Sequence, residues 1–239
     1  MAKRGKKYRD ATDKIDAKKE YPANEAIALL KEIASANFDE TVELHIRTGL
    51  DTRHADQQLR GTIVLPHGLG KSQYVLVFAE GEAARLAEDA GADEVGGDAL
   101  VKKVGDGHLD FDVALATKEM MGKVGKLGRV LGPRGLMPNP RTSTVVDGED
   151  LPRAIKDAKQ GRVEFRTDRT SLVHVSVGKI SFSEEALADN LASLLDAIRR
   201  EKPAGSKGHY IRTLTLTTTM SPGIRMDLSA IGAVAAADN

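Results

Sequence analysis

Apolar and polar positions in the first third of the chain predict one helix and two strands. Apolar residues recur at helical spacing across residues 24–35, where Asn24 is the predicted N-cap. Residues 41–48 alternate strictly between apolar and polar, which is typical of a strand with one buried face and one wet face. Residues 61–65 predict a second short strand, which Pro66 ends.

The middle of the chain has a different pattern. Residues 74–79 form a continuous apolar run, typical of a strand covered on both faces. Helices are predicted at 82–90 and 99–104, and another short apolar strand at 113–116. This alternation of strands and helices predicts a small α/β domain with a parallel sheet.

A predicted loop and a predicted helix complete this region. Residues 122–140 contain five glycines and three prolines, and that composition predicts a loop. Residues 150–160 predict a helix that ends at Gly161, which serves as its C-terminal cap.

Beyond that helix the pattern of the first third returns. Residues 163–166 and 172–177 predict a β-hairpin, with residues 167–170 as its turn. Residues 183–200 predict a long amphipathic helix whose first residue, a serine, is the N-cap. Residues 211–220 predict a final strand.

These elements predict an α/β protein of two domains. Residues 1–67 and 161–239 would form an outer two-layer α+β domain, and residues 68–160 would form an inserted three-layer, Rossmann-like α/β domain. The two crossings between the domains would act as hinges. Three glycines mark these crossings: Gly68, Gly70 and Gly161.

Composition excludes several classes of protein. The 239-residue chain has no cysteine, so it has neither disulfides nor a thiolate metal site, which fits a reducing cytoplasm. No apolar run approaches the ~20 residues of a membrane span. The basic N-terminus lacks the apolar core of a signal peptide. We therefore expect a cytoplasmic protein that does not associate with a membrane.

The charges balance in total but are segregated along the chain. Lys plus Arg and Asp plus Glu each number 35, so no overall basic excess indicates a nucleic-acid partner. However, residues 82–112 hold nine acids and three bases, and residues 118–141 hold six bases and one acid. Because local charge decides what a phosphate meets within a Debye length of about 8 Å, neutrality does not exclude RNA.

No catalytic or metal-binding motif is evident. The run Gly68-Leu69-Gly70-Lys71-Ser72 suggests a phosphate-binding loop, but Leu65 occupies the position of the first glycine that such a loop needs. The glycines of residues 122–140 fit no dinucleotide fingerprint, and no two histidines have the helical spacing of a zinc site. We expect no enzyme activity, cofactor or metal. A nucleotide-binding enzyme and a protein-only scaffold are the competing classes.

Three polar clusters of the outer domain are candidates for contact with RNA. They are residues 38–41, the turn 167–170 with His174 on the next strand, and the alternate threonines that lead to Met220 and Ser221. Hydroxyls and carboxylates can hydrogen-bond ribose 2′-OH groups, and Phe or Met can pack on sugar or base. For any single cluster, cross-strand threonine pairing and a core Phe are the simpler alternative.

The basic, glycine-rich residues 118–141 are a further candidate. Glycines allow close approach of a phosphate backbone, and the interleaved bases supply charge. A surface loop whose bases only maintain solubility is the alternative.

Four blocks of sequence resemble the L-one family of bacterial ribosomal proteins, which belong to the lateral stalk of the large subunit beside the exit-site tRNA. The blocks are FDETVE at 38–43, RGT at 60–62 with LPHGLGK at 65–71, LGRVLGPRGLMPNP at 127–140, and TTTMSP at 217–222. The similarity runs from about residue 9 to about residue 227.

The resemblance implies a non-enzymatic protein, monomeric outside the ribosome, whose outer domain binds a stem junction of large-subunit ribosomal RNA. It also implies release of exit-site tRNA by the mobile stalk, and repression of the protein's own operon mRNA through a mimic of the junction. The RNA contacts would be Phe38, Glu40, Thr41, Asp168, Thr170, His174, Thr217, Thr219, Met220 and Ser221. A secondary RNA contact on the inserted domain would use Lys126, Arg129, Arg134 and Arg141.

Two positions depart from what the resemblance leads us to expect. Asn37 stands where a basic residue is expected, so one phosphate contact would be missing. Ser221 stands where glycine is expected, and its side chain would alter a close backbone approach. The alanine-rich tail after Leu228 is predicted to be disordered.

Overall fold

A computed structural model describes residues 5–206 and 208–228 of the chain. The chain divides into two compact units: unit 1 is Met1–Gly70 with Val163–Asn239, and unit 2 is Lys71–Arg162. The predicted breaks, after residues 67 and 160, lie three and two residues before those of the structure. Gly70 packs within unit 1, because a Cβ atom built on it would lie 2.8 Å from the ring of Phe182.

The described helices and strands are as follows. The helices are α1 (Lys6–Asp13), α2 (Ala23–Ile33), α3 (Glu82–Asp89), α4 (Asp98–Gly105), α5 (Met121–Val124), α6 (Gly128–Leu131), α7 (Leu151–Lys159) and α8 (Glu184–Arg200). The strands are β1 (Thr41–Thr48), β2 (Arg60–Val64), β3 (Val75–Phe78), β4 (Glu94–Gly96), β5 (Val113–Thr117), β6 (Val145–Val146), β7 (Arg162–Arg166), β8 (Leu172–Lys179), β9 (Ile211–Thr218) and β10 (Ile224–Met226).

Unit 1 is built on a four-stranded antiparallel sheet in the order β10-β9-β1-β8. The apolar residues of β1 are buried, as the alternation predicts, and Leu44 lies between Val175 of β8 and Leu216 of β9. The helices α2 and α8 pack against the sheet on this side. The polar residues of β1, including Glu43 and His45, point to the other face. The predicted two-layer α+β architecture is confirmed.

Unit 2 is built on a parallel sheet in the order β4-β3-β5-β6. All four residues of β3 are buried, as expected of a strand covered on both faces. Val75 and Val77 pack in a cluster with residues of α3 and α7, whereas Leu76 and Phe78 pack in a second cluster with residues of α4, α5 and α6. This is the predicted three-layer α/β arrangement.

The predicted hairpin between residues 163–166 and 172–177 is wrong. The strand β7 pairs with β2 in a separate two-stranded sheet, and β8 pairs with β1. The turn itself exists, because the Asp168 N–H donates to the Leu172 carbonyl at 2.8 Å and a single bridge joins Thr167 to Val173. Turn residues act locally, but the partner of a strand depends on packing between distant segments.

The predicted loop at 122–140 is wrong in its first half. The helix α5, a 3-10 turn at Gly125–Leu127 and α6 follow one another without a break. Val124, Leu127 and Leu131 are buried on one side of this segment in the core of unit 2. Burial of this apolar stripe outweighs the helix penalty of glycine, about 1 kcal/mol for each residue.

The ends of some elements also differ from the prediction. The N-cap position of α2 is Pro22, not Asn24, and no side chain caps this helix. Ser183 is the N-cap of α8, as predicted, and its hydroxyl accepts the Ala186 N–H at 3.1 Å. The strand β9 ends two residues before its predicted end. The short elements α1, β4, β6 and β10 have no counterpart in the prediction.

The predicted disorder after Leu228 concerns residues outside those that the structure describes. Among the described helices, none combines the length and the apolar character needed to cross a membrane.

Candidate nucleic-acid interface

The two most exposed large apolar side chains of the described residues lie at one end of the unit 1 sheet. Phe38, just before β1, is 56% exposed, and Met220, just after β9, is 59% exposed. Because β1 and β9 are antiparallel, with Val42 opposite Thr218, the start of one strand lies beside the end of the other. The core alternative for Phe38 is therefore wrong. Exposed apolar side chains that occur together are typical of a binding surface.

Three threonines carry hydroxyl groups on the same two segments. The Thr41 N–H donates to the Thr219 hydroxyl at 3.2 Å, which joins the start of β1 to the segment after β9. Thr217 is half-buried on the polar side of β9, opposite Glu43 of β1. We call Phe38, Thr41, Thr217, Thr219 and Met220 the Phe38–Met220 patch.

Glu40 lies beneath this patch and not on its surface. Only 1% of the residue is exposed. One carboxylate oxygen accepts the Thr218 hydroxyl at 2.6 Å and the Met220 N–H at 3.0 Å, and the other accepts the Ala36 N–H at 3.0 Å. The expectation that Glu40 contacts RNA is therefore corrected, because its carboxylate is enclosed and already hydrogen-bonded within the protein.

Hydrogen bonding keeps the Glu40 carboxylate ionised. Burial by itself would raise the pKa of this group. The Thr218 hydroxyl and the backbone N–H groups of Ala36, Met220 and Ser35 outweigh that effect and hold the pKa below its ordinary value. A buried negative charge with several donors thus lies directly under the patch.

Ser221 uses its polar groups inside the protein. Its hydroxyl accepts the Thr218 N–H at 2.9 Å, and its carbonyl accepts the Thr217 hydroxyl at 3.2 Å. The serine side chain therefore closes the turn that ends β9. Direct contact of this hydroxyl with RNA, as the sequence interpretation implied, would compete with these bonds.

Lys179 is a candidate contact that sequence reasoning missed. It ends β8 opposite Thr41, and its ammonium donates to the Thr41 hydroxyl at 2.9 Å. It therefore places a positive charge beside the patch. The only signal that could have identified it is the pairing of β1 with β8, which joins residues 138 apart.

The predicted turn at residues 167–170 lies toward the opposite end of the same sheet. Leu172, which begins β8, lies opposite Arg47, six residues along β1 from Thr41. At about 3.3 Å per residue this is about 20 Å. The predicted contacts thus form a strip along the sheet and do not meet at one point.

Asp168 organises the turn at that far end. Its carboxylate accepts the Thr170 N–H at 2.7 Å, the Leu172 N–H at 2.8 Å and the Thr170 hydroxyl at 2.7 Å. Burial acts to raise the pKa of Asp168, but these donors and the charge of His174 outweigh it and lower the pKa. Asp168 and Thr170 remain exposed, so they hold the turn and can also meet a ligand.

Two histidines connect the ends of the strip. His45 of β1 and His174 of β8 are cross-strand partners, and their Nδ1 atoms are 2.6 Å apart. The His174 ring also lies 3.8 Å from the Asp168 carboxylate, and the His45 ring lies 3.6 Å from Glu43. Burial and the neighbouring His174 lower the pKa of His45, against the opposing effect of Glu43. His45, like Lys179, was not predicted from the sequence.

The predicted secondary contact in unit 2 consists of exposed bases. In residues 118–141, Lys118 pairs with Asp147 at 2.7 Å, and Lys123 pairs with Asp98 at 2.7 Å. The other four bases are exposed, and in the described part of the chain none of them forms an ion pair: Lys126, Arg129, Arg134 and Arg141. These four retain their charge for an anionic partner.

All three predicted hinge glycines adopt the left-handed backbone conformation. Their φ angles are +66° at Gly68, +69° at Gly70 and +93° at Gly161, which follows the C-cap of α7. The buried Asn190 side chain donates to the Gly68 carbonyl at 3.0 Å and accepts the His67 N–H at the same distance. Gly68 is thus fixed within unit 1, and any hinge would begin after it. Motion at Gly70 and Gly161 stays a prediction.

The run that resembles a phosphate-binding loop has other contacts in the structure. Lys71 forms an ion pair with Asp112 at 2.5 Å. Across residues 5–206 and 208–228, no group of three or more His, Cys, Asp or Glu side chains could hold a metal ion.

Comparison with known proteins identifies the family. Residues 30–222 match the model of the Ribosomal protein L1p/L10e family. Large ribosomal subunit protein uL1 of Dehalococcoides mccartyi is 56% identical over 237 residues, which are 99% of this chain and 100% of the relative. The protein of the same name from Chloroflexus aggregans is 54% identical over 97% of this chain and 98% of its own length. The family resemblance seen in the sequence and the prediction of a non-enzymatic protein are both confirmed. The chain therefore belongs to the Ribosomal protein L1p/L10e family of structural ribosomal proteins.

Proposed function

We propose that this chain binds a folded stem junction of large-subunit ribosomal RNA through unit 1, as part of the mobile lateral stalk. The observation that supports this most strongly is the Phe38–Met220 patch. It combines two side chains that are more than half exposed with threonine hydroxyls on a hydrogen-bonded framework.

The chemistry of the patch suits RNA with unstacked bases and accessible riboses. An exposed Phe can stack on a base, and Met can pack on a sugar. Threonine hydroxyls can donate to and accept from 2′-OH groups, which distinguish RNA from DNA. Lys179 at one end of the strip and His174 in its middle would contact phosphates or polar base edges.

The four exposed bases of unit 2 would make the secondary contact. These bases are Lys126, Arg129, Arg134 and Arg141. They supply positive charge, but among the described residues of 118–141 no large apolar side chain is exposed for an RNA base to stack on. Such groups attract a phosphate backbone without reading its sequence. Their proposed role is to add affinity after unit 1 has selected the RNA.

The family resemblance supports four further parts of the proposal. The protein would act in the cytoplasm as a constituent of the large subunit, and would be a monomer outside the ribosome. Its stalk position would assist the release of exit-site tRNA. The same unit 1 surface would bind a mimic of the junction on the protein's own operon mRNA and repress translation.

The experiment is a binding titration of the full chain with a large-subunit RNA fragment that contains the stalk stem junction. A plain RNA duplex of equal length is the control RNA, and ATP and NAD are the control ligands. We expect saturable binding of the junction, at least about tenfold tighter than the duplex, since the patch needs unstacked bases. Equal affinity for both RNAs, or binding of a nucleotide alone, would overturn the proposal.

A competition experiment tests the repressor role separately. The leader of the protein's own operon mRNA should displace the junction fragment from the full chain, because both would occupy one surface. Simultaneous binding of the two RNAs would contradict a shared surface while leaving ribosomal RNA binding intact.

A further inference from the structure

The buried Glu40 carboxylate joins the two segments that carry the exposed apolar side chains. One oxygen receives the Ala36 N–H, two residues before Phe38. The other receives the Met220 N–H and the hydroxyl of Thr218. The sequence separation between Glu40 and Met220 is 180 residues, so this contact is the product of the fold and not of local structure.

A buried carboxylate is a costly way to obtain stability alone. Removing a carboxylate from water carries a desolvation penalty, which its hydrogen bonds inside the protein must offset. The charged carboxylate instead fixes the local geometry. The Ala36 N–H, the Thr218 hydroxyl and the Met220 N–H must converge on its two oxygens at hydrogen-bonding distances and directions. The segment before β1 and the segment after β9 are thereby held in one arrangement.

We propose that Glu40 is a positioning residue for RNA binding, which holds Phe38 and Met220 in the arrangement that the RNA recognises without touching the RNA itself. This inference rests on the proposed RNA-binding function of unit 1. It replaces a direct contact, because only 1% of Glu40 is exposed and both of its oxygens accept hydrogen bonds inside the protein.

The Glu40→Gln substitution tests this role with almost no change of shape. In either orientation of the amide, its NH2 group must face a donor, since both carboxylate oxygens accept N–H or O–H groups. One half of the arrangement must therefore open. The Glu20→Gln substitution is the matched control, because it removes the same charge at an exposed position of unit 1.

We expect Glu40→Gln to weaken binding of the junction RNA about tenfold or more, and Glu20→Gln to leave it unchanged. The dependence of the dissociation constant on salt should be the same for wild type and Glu40→Gln, since no phosphate contact is lost. In the RNA-free protein, amide hydrogen exchange at residues 217–221 should be faster in Glu40→Gln than in wild type.

A double-substitution cycle separates positioning from direct contact. If Glu40 acts through Phe38 and Met220, then Glu40→Gln should have less effect on affinity in a Met220→Ala protein, and in a Phe38→Ala protein, than in wild type. A full, additive loss in both the Met220→Ala and the Phe38→Ala backgrounds would show that Glu40 acts independently of both side chains and would overturn the inference. Unchanged affinity of Glu40→Gln, with wild type still binding the junction, would also overturn it. Failure of wild type to bind would instead reject the proposed function.

A second pair of variants keeps the test valid if Glu40→Gln does not fold. Thr218→Val removes one donor to the carboxylate, whereas Thr218→Ser keeps the hydroxyl. We expect a several-fold loss of RNA affinity and faster amide exchange at residues 217–221 for the valine variant alone. Equal behaviour of the two variants would contradict the role assigned to the carboxylate.

Discussion

The two candidate RNA contacts of this chain differ in how they would produce affinity. The Phe38–Met220 patch of unit 1 has two exposed apolar side chains and three hydroxyls, and a buried charge fixes its shape. The contact in unit 2 consists of four exposed bases without ion-pair partners in the described chain. The first can recognise a particular RNA surface, and the second responds to any dense array of phosphates.

This difference would explain how a chain of zero formal net charge could bind RNA, as proposed. Unit 1 would rely on packing and on short-range hydrogen bonds, which need complementary shape and little net charge. Charge is concentrated where it adds attraction, at residues 118–141. The comparison therefore predicts that substitutions in the two contacts will alter affinity by different amounts and through different physical effects.

The largest expected effect comes from Met220→Asp. It would bury an unpaired carboxylate against RNA that is itself negative, which is expected to lower the affinity roughly a hundredfold, or about 3 kcal/mol. Lys126→Ala is the comparison, with an expected loss of only a few-fold, as for an exposed charge. Fluorescence anisotropy with junction RNA measures both. Equal losses would remove the distinction between the two contacts.

Phe38→Ala should have the next largest effect. Loss of one stacked base is worth about 1–3 kcal/mol, so a loss of roughly tenfold or more is expected. Phe38→Tyr, which keeps the ring, should bind almost as wild type does. Isothermal titration calorimetry of the three proteins with junction RNA provides the measurement, and a harmless Phe38→Ala would show that the exposed ring does not meet the RNA.

Removing all four bases of the second contact should have a smaller effect. The protein with Lys126, Arg129, Arg134 and Arg141 changed to Ala should lose less than roughly tenfold in affinity for junction RNA near physiological salt. Its affinity for plain duplex RNA should fall by a larger factor, because that binding depends on phosphates alone. Gel-shift titration of both RNAs tests this, and a greater loss for the junction would reverse the proposed roles.

The smallest expected effect is the pH dependence of stability from His45. Its pKa in the folded protein is lowered from the ordinary value of 6.5, so the unfolded chain binds the proton more readily. The free energy of unfolding should thus be highest above about pH 6.5 and fall slightly as the pH drops below it. Urea unfolding of wild type and His45→Gln at about pH 7.5 and about pH 5.5 measures this, with a smaller fall expected in the variant.

The groups that face His45 are Glu43 on its own strand, His174 on β8, with Asp168 beyond it, and Thr215 on β9. The pKa of Asp168 is lowered, so this carboxyl stays ionised in that pH range. An identical pH response of wild type and His45→Gln would exclude His45 as its source.

Local patterns were sufficient for much of the fold. The alternation in residues 41–48 predicts both the limits of β1 and its buried face. In a strand, alternate side chains point to opposite faces, so the apolar set must be the buried one. The run at 74–79 likewise predicts a strand covered on both sides. Composition was misleading at 122–140, where glycine content concealed the stripe formed by Val124, Leu127 and Leu131.

The parts that could not be predicted depend on contacts between distant residues. Pairing of β7 with β2 and not with β8 is decided by the assembled core. The location of Glu40 under the patch depends on Thr218, 178 residues away, and a single sequence without structure does not reveal that pairing. Motif resemblance placed Glu40 among the RNA contacts, because a motif does not distinguish a residue that touches a ligand from one that positions its neighbours.

The salt dependence of junction binding by the full wild-type chain tests the central claim most directly. The dissociation constant would be measured from roughly 50 to roughly 500 mM KCl, and its logarithm plotted against that of the salt concentration. If unit 1 binds mainly by packing and hydrogen bonds, with about four phosphate contacts from unit 2 and about one from Lys179, the magnitude of the slope should be about 4 or less. A slope with a magnitude near about 10, as for a strongly basic binder, would contradict the account.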